Sequence, residues 1–222
     1  MFLFDGPPHG PLLVLAHGAG APMDSPFLVT MAAGLARHGL RVARFEFPYM
    51  HARREAGGRK APDREPELRR AWLQAIESIQ AIEAIQAIEG IASSETPGGG
   101  ADVWIGGKSM GGRIASLIAD QAGVRGLVCL GYPFRPPGAV AAVAEKRTAH
   151  LRDLRTPALI VQGTRDSFGG PAEVAGYTLA AGIRVHWIED GDHSFKPRKS
   201  SGRTESQNLD EAVAAVAAFI AS

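Results

Sequence analysis

Gly107-Lys108-Ser109-Met110-Gly111 joins the apolar run 103–105 to a helical segment, with glycines two positions to either side of the serine. Small residues there let strand and helix close around a sharp turn while the hydroxyl projects. A serine alcohol titrates far above neutral pH, so nucleophilic attack requires a base, and a base that becomes cationic is best held by a buried carboxylate. Two later segments offer these groups. Leu159-Ile160-Val161-Gln162-Gly163-Thr164-Arg165-Asp166 sets Asp166 just past a buried strand, and Val185-His186-Trp187-Ile188 leads to Gly191-Asp192-His193. Ser109 is thus the candidate nucleophile, Asp166 the acid and His193 the base, in the chain order that such a strand-turn-helix serine requires. Asp190 and Asp192 are weaker acids because they share His193's own loop. His186 lies mid-strand and reads as structural.

A developing oxyanion needs preorganised donors. The backbone N–H of Met110 starts a helix, where amides lack partners and the helix dipole favours negative charge. Leu13-Val14-Leu15-Ala16-His17-Gly18-Ala19-Gly20 ends an early strand, and the Ala19 N–H is the second candidate donor, with His17 bonding neighbouring loops rather than acting as a base. Tyr49, Met50, Tyr132 and Phe134 follow strands and are candidates to line an acyl pocket, core packing being the nearly equal alternative. Lys108-Ser109 is similar to the end of a phosphate-binding loop, but residue 103 is Val where that motif needs glycine.

These residues need a scaffold of strand-helix units. Strands are expected at 12–16, 42–47, 103–105, 126–131, 158–162 and 185–188, with 2–4 an outer antiparallel strand. Their Val-, Ile- and Leu-rich character suits a mostly parallel sheet covered on both faces. Helices are expected at 26–37, 67–92, 110–122, 139–151, 171–180 and 208–221. No linker splits the 222 residues, so residues 1–222 read as one domain, and 93–100 reads as an exposed loop.

The segment 74–91 repeats a unit close to Gln-Ala-Ile-Glu-x-Ile, placing isoleucine at every third position from Ile76. A period of three drifts by about 60° per step on a helix that turns about 100° per residue, so these side chains wind around the helix and some are exposed. The plainer reading is a surface helix; the sharper one is a contact between copies of the chain.

A composition of 45% hydrophobic and 21% charged residues with formal net charge +1 carries no global bias toward nucleic acid or anionic membrane. The single cysteine, Cys129, lies in an apolar run and reads as a buried hydrophobe, which suits a reducing compartment. No leader or membrane span is evident, so the expected location is cytoplasmic. Two basic loops, Arg53, Arg54, Arg59 and Lys60 and then Lys196, Arg198, Lys199 and Arg203, could hold an anionic substrate group. Interspersed acids such as Asp63 and Glu65 favour an ordinary solvated surface.

With His17-Gly18-Ala19-Gly20, Phe45-Glu46-Phe47-Pro48-Tyr49-Met50, Gly107-Lys108-Ser109-Met110-Gly111-Gly112-Arg113, Gln162-Gly163-Thr164-Arg165-Asp166 and Asp192-His193-Ser194-Phe195, the chain resembles the α/β-hydrolases over nearly its whole length. Within them it is similar to the small branch of testis-expressed-30 proteins and the hydrolase-like domain of a chromatin-complex subunit. The resemblance implies a mostly parallel sheet flanked by helices, a triad at Ser109, Asp166 and His193, and neither organic cofactor nor metal. Only 51–70 separates an early strand from the next helix, so a lid is minimal or absent. The expected activity is hydrolysis of an ester or thioester in a small acyl substrate through an acyl-enzyme. The alternative is a protein-interaction module built on the same fold.

Overall fold

The computed structural model describes residues 1–58, 60–88 and 103–222, and among these, seven strands form one sheet. They are β1 (Phe2–Asp5), β2 (Leu12–Ala16), β3 (Arg41–Phe45), β4 (Val103–Lys108), β5 (Gly126–Leu130), β6 (Ala158–Gly163) and β7 (Ile183–Ile188), in the order β1-β3-β2-β4-β5-β6-β7. All neighbours pair in parallel except β1, which runs antiparallel to β3.

Successive side chains of a strand face opposite sides. Leu12, Val14 and Ala16 accordingly enter one core while Leu13 and Leu15 enter the other. Helices α3 (Glu65–Ile88) and α4 (Met110–Ala122) cover the first face through Trp72, Ile76, Ile79, Ile114 and Ala115. Helices α1 (Pro26–Arg37) and α7 (Glu205–Ala221) cover the second through Met31, Leu35, Leu209 and Val213. The chain leaves β2 outward to β3 and later returns on the other side as β4, so the strand order reverses between β2 and β4. A crevice above the carboxyl ends at such a reversal is the ordinary ligand site of an open parallel sheet. Ala16 and Gly107 are register partners there.

Several elements depart from expectation. Residues 48–56 form a helix, α2 (Pro48–Ala56), where the sequence suggests only a connection. Pro48 opens it with a preset φ, but it has few apolar residues to signal a helical face. The stretch 139–151 divides into α5 (Ala141–Thr148) and a 3-10 turn over Ala149–Arg152. The helix expected over 171–180 is only α6 (Pro171–Val174), because the Ala180 N–H leaves to bond Leu151 O on the way to β7. Helix α7 begins before Asn208 because Thr204 and Gln207 form a reciprocal capping box, which stabilises its start by about 1 kcal/mol.

Strand β3 buries two arginines, each bonded to an acid: Arg44 to Asp5 at 2.8 Å and Arg41 to Glu83 at 2.6 Å. Of the winding isoleucines, Ile76 and Ile79 are buried and Ile85 is 55% exposed. The end of that expected helix and the loop 93–100 lie outside the described residues. Cys129 is buried, as expected, and burial pushes its thiol pKa up. No helix among the described residues is long and apolar enough to cross a membrane.

Candidate active site

Ser109 follows β4 directly and holds φ 50° and ψ −113°. A non-glycine residue at positive φ costs about 1–3 kcal/mol and persists only where its surroundings over-determine it. Here the Ser109 N–H donates to Leu130 O and its own carbonyl accepts from the Arg113 N–H, both at 3.0 Å. The flanking glycines are required by close approach: a Cβ on Gly107 would stand 2.4 Å from Ala16 O, and one on Gly111 2.6 Å from both Ala16 O and His17 O.

The hydroxyl of Ser109 lies 2.9 Å from His193 Nε2, and His193 Nδ1 lies 2.8 Å from Asp166 Oδ2. An ionised carboxylate only accepts, so Nδ1 carries the proton and Nε2 is left to accept from Ser109. Three chain segments expected to converge do so, the serine and the imidazole being 84 residues apart in sequence. Asp166 is 3% exposed and takes three donors: His193 Nδ1, Gln162 Nε2 at 2.8 Å on the same oxygen, and the Phe168 N–H at 2.8 Å on the other. Phe168 also lies against the imidazole, with ring centroids 4.4 Å apart.

The loop after β2 lies alongside this serine, since a Cβ on Gly18 would be 3.7 Å from Ser109 Cβ. His17 is fully buried: Nδ1 contacts Gly18 O at 2.7 Å and Nε2 accepts from the Phe47 N–H at 3.1 Å. Burial lowers its pKa, in keeping with a neutral bracing side chain. The Tyr49 hydroxyl also contacts this loop, donating toward Ala19 O at 3.0 Å and Gly18 O at 3.3 Å. With both carbonyls turned into these contacts, the loop is braced beside Ser109. The Met110 N–H occupies the first turn of α4, where the intrahelical partner is missing.

The profile of the alpha/beta hydrolase domain family matches residues 9–221. The chain belongs to the α/β-hydrolase family. Similar solved structures include a serine hydrolase without lid from Xanthomonas campestris, with 18% identity, TM-score 0.66, and coverage of 99% of this chain and 87% of that one. A dienelactone hydrolase from Anabaena variabilis has 16% identity, TM-score 0.64 and coverage of 99% and 90%. The esterase domain of a Rhodothermus marinus protein has 16% identity, TM-score 0.60 and coverage of 97% and 90%. At these identities the likeness is one of fold.

In this α/β-hydrolase the other acids near His193 are occupied elsewhere. Asp190 is bonded by Arg198 and Arg165, and the Arg198 guanidinium holds its carboxyl below the usual range. Asp192 Oδ1 accepts from the N–H groups of Ser194 and Lys196 at 2.8 and 3.0 Å, shaping the loop that presents His193. His186 pairs with Glu211 at 3.2 Å on β7, a structural place.

Gln162 acquires a role only in three dimensions. Fully buried on β6, its Oε1 accepts from the Tyr132 N–H at 2.7 Å while Nε2 donates to Asp166, Tyr132 O and Gly169 O. Gln162→Leu strands several buried polar groups at once. We expect a stability loss of about 2–3 kcal/mol in urea melts and roughly tenfold lower kcat/KM as Asp166 loses a fixed position. Wild-type values for both would show that the amide holds nothing.

The acyl-pocket expectation finds a different arrangement. Tyr49, Met50, Tyr132 and Phe134 are 0–4% exposed and pack in the core around α3 and α4. Tyr49 contacts the Gly18–Ala19 segment, Tyr132 donates to Arg147 O at 2.7 Å, and Phe134 stacks on Tyr177 with ring centroids 5.7 Å apart. Bulky apolar residues after strands serve packing as readily as pockets, and local sequence cannot separate the two.

A second serine and histidine also meet: Ser116 Oγ lies 2.8 Å from His150 Nε2. Ser116 is 2% exposed and gives its proton to Arg113 O at 2.7 Å, so the imidazole donates through Nε2 and Nδ1 is left buried without a partner among the described residues. With no carboxylate behind it and no access, this pair packs α4 against the 3-10 turn. Desolvation lowers the His150 pKa to about 4. Between that value and the ordinary pKa near 6.5 the unfolded chain binds the extra proton, so stability falls as pH drops through this window. His150→Gln should flatten the fall in melting temperature between about pH 6.5 and 4; an unchanged slope assigns it to other groups.

Four of the eight basic residues in the two loops are paired among the described residues. Arg54 bonds Asp24 and Glu46, Arg198 bonds Asp190, Arg203 bonds Glu211, and Lys196 is 3.9 Å from Glu205. Arg59 lies outside the described residues. A groove of about 400 Å³ lies between β7 and α7, lined by Leu159, Arg184, His186, Glu211 and Phe219, and includes none of Ser109, His193 and Asp166. Among the described residues no group of three His, Cys, Asp or Glu side chains is placed to hold a metal ion.

Proposed function

We propose that this α/β-hydrolase is a serine hydrolase that cleaves an ester or thioester of a small acyl substrate. The observation that supports this reading is the single imidazole of His193 within hydrogen-bond distance of both the Ser109 hydroxyl and the buried Asp166 carboxylate. In the proposed reaction Ser109 Oγ attacks the acyl carbon as Nε2 of His193 takes its proton. Asp166 holds the imidazole in the required tautomer and stabilises the cation that forms. The backbone N–H groups of Met110 and Ala19 receive the oxyanion, an arrangement typically worth about 3–4 kcal/mol per donor. The carbonyl-leaving bond then breaks, and the departing alkoxide or thiolate takes the proton from Nε2. Water, deprotonated by His193, attacks the acyl-enzyme and releases the acid and the free serine.

The motifs at 17–20, 45–50, 107–113, 162–166 and 192–195 lead us to place the chain beside the testis-expressed-30 proteins within the family. A free, buried Cys129 accords with a reducing, cytoplasmic location. Among the described residues α2 is the one element between β3 and α3, and the site suits a short acyl group presented from solvent.

The test is active-site labelling with a fluorophosphonate followed by intact mass measurement. One adduct on wild type supports the reading; a folded but unreactive wild type ends it. A panel of p-nitrophenyl esters and acyl-CoAs then separates ester from thioester substrates.

A further inference from the structure

Lys108 immediately precedes Ser109 at the end of β4, and its side chain reaches toward the loop of the base. Its Nζ donates to the main-chain carbonyl of His193 at 2.5 Å and forms no ion pair among the described residues. The ammonium stands 5.4 Å from the centre of the Phe27 ring on α1, and Phe27 contacts Phe195 of the base loop at 5.5 Å. At the end of β5, Gly131 holds φ 68°, and a Cβ there would come within 2.9 Å of Lys108 Nζ and 2.8 Å of His193 O. A side chain at residue 131 would therefore collide with both ends of the lysine contact.

The loop carrying His193 is held carbonyl by carbonyl. Glu189 and Phe195 accept from Asn208 Nδ2, Asp190 from Arg165 Nε, Gly191 from the Arg165 N–H, and His193 from Lys108. Asp190 and Phe195 take φ of 53° and 68°, so the loop follows a path it would not adopt untethered. Of these donors, Lys108 belongs to the nucleophile's own strand and joins directly to the residue that bears the imidazole.

We infer that Lys108 is a positioning residue for the proposed hydrolysis, its bond to the His193 carbonyl setting the base at the distance Ser109 requires. The inference rests on the reading of Ser109, His193 and Asp166 as a triad. A charged donor makes a bond roughly twice as strong as a neutral one, so the tether weakens when Lys108 loses its proton. Desolvation lowers its pKa to about 8, against the attraction of Asp166 and Asp192. Both carboxylates are engaged by other donors, the His193 imidazole lies close by with its Nδ1 bonded to Asp166 and 3.4 Å from where a Cβ on Gly131 would stand, and Phe27 and Gly131 bring no charge from α1 and β5.

The test compares wild type, Lys108→Met and Lys108→Arg in the rate of fluorophosphonate labelling and in kcat and KM for p-nitrophenyl acetate across pH. In Lys108→Met, labelling and kcat should fall together by about 10–100-fold with KM unchanged, the usual consequence of a reacting pair displaced by a fraction of an ångström to one ångström. Wild-type kcat/KM should turn down above about pH 8. Lys108→Arg, cationic throughout, should lose that turn while keeping measurable activity, which decides the matter even where the Met variant does not fold. Wild-type rates in a folded Met variant, or an alkaline turn retained in the Arg variant, would overturn the inference. An unlabelled wild type would instead remove the hydrolase reading itself.

Discussion

Ser109→Ala is expected to abolish fluorophosphonate labelling and to lower kcat/KM by about 10⁴–10⁶-fold, the scale seen when the nucleophile of such a triad is removed. The alternative serine, Ser116, cannot substitute, because it is 2% exposed and its histidine has no carboxylate behind it. Labelling that persists in Ser109→Ala, located elsewhere by peptide mapping, would reject the assignment. A second variant reads the same position through stability. Since Ser109 holds φ 50°, Ser109→Gly should be more stable than wild type by about 1 kcal/mol while equally inactive. A residue kept at a cost in stability is the expected sign of a functional site.

His193→Ala should lower turnover by a comparable factor, about 10⁴–10⁶, yet leave the fold almost as stable. The reason is local: Asp166 Oδ2 keeps the Gln162 Nε2 donor and Oδ1 keeps the Phe168 N–H, so the buried carboxylate is not abandoned when the imidazole goes. Asp166→Asn behaves differently. All three partners of this carboxylate are donors, so the new NH₂ must face the Phe168 N–H in one orientation, or face Gln162 Nε2 and reverse the His193 tautomer in the other. We expect a loss of about 10⁴ in kcat/KM together with about 1–3 kcal/mol of stability. Measured by steady-state kinetics and urea melts, equal stability losses in the two variants would contradict this account of the site.

Much of this arrangement is legible in the chain. The apolar runs that become β2, β4, β5 and β6 lack polar alternation because both faces are covered, and the glycines around Ser109 signal a turn in which backbone presses on backbone. Boundaries are less legible. Helix α2 carries little apolar periodicity, and α7 starts early through a side-chain capping exchange at Thr204 and Gln207. Tyr49, Met50, Tyr132 and Phe134 show the other limit: an apolar residue after a strand carries no local mark of whether it will meet a ligand or a neighbour. All four meet the core, and Tyr49 also bonds the loop beside Ser109.

By itself the sequence determined most of the strands, several of the helices and the glycine turn that carries Ser109. These are local properties, governed by steric demands within a few residues. Only the tertiary structure decided which side chains touch. The reversal of strand order between β2 and β4 brings Gly18 beside Ser109, and the parallel succession β4, β5, β6 and β7 carries Asp166 and His193 to the same edge. The roles of Gln162 and Lys108 arise from that meeting, because a hydrogen bond across 85 residues depends on sheet register and not on any nearby pattern.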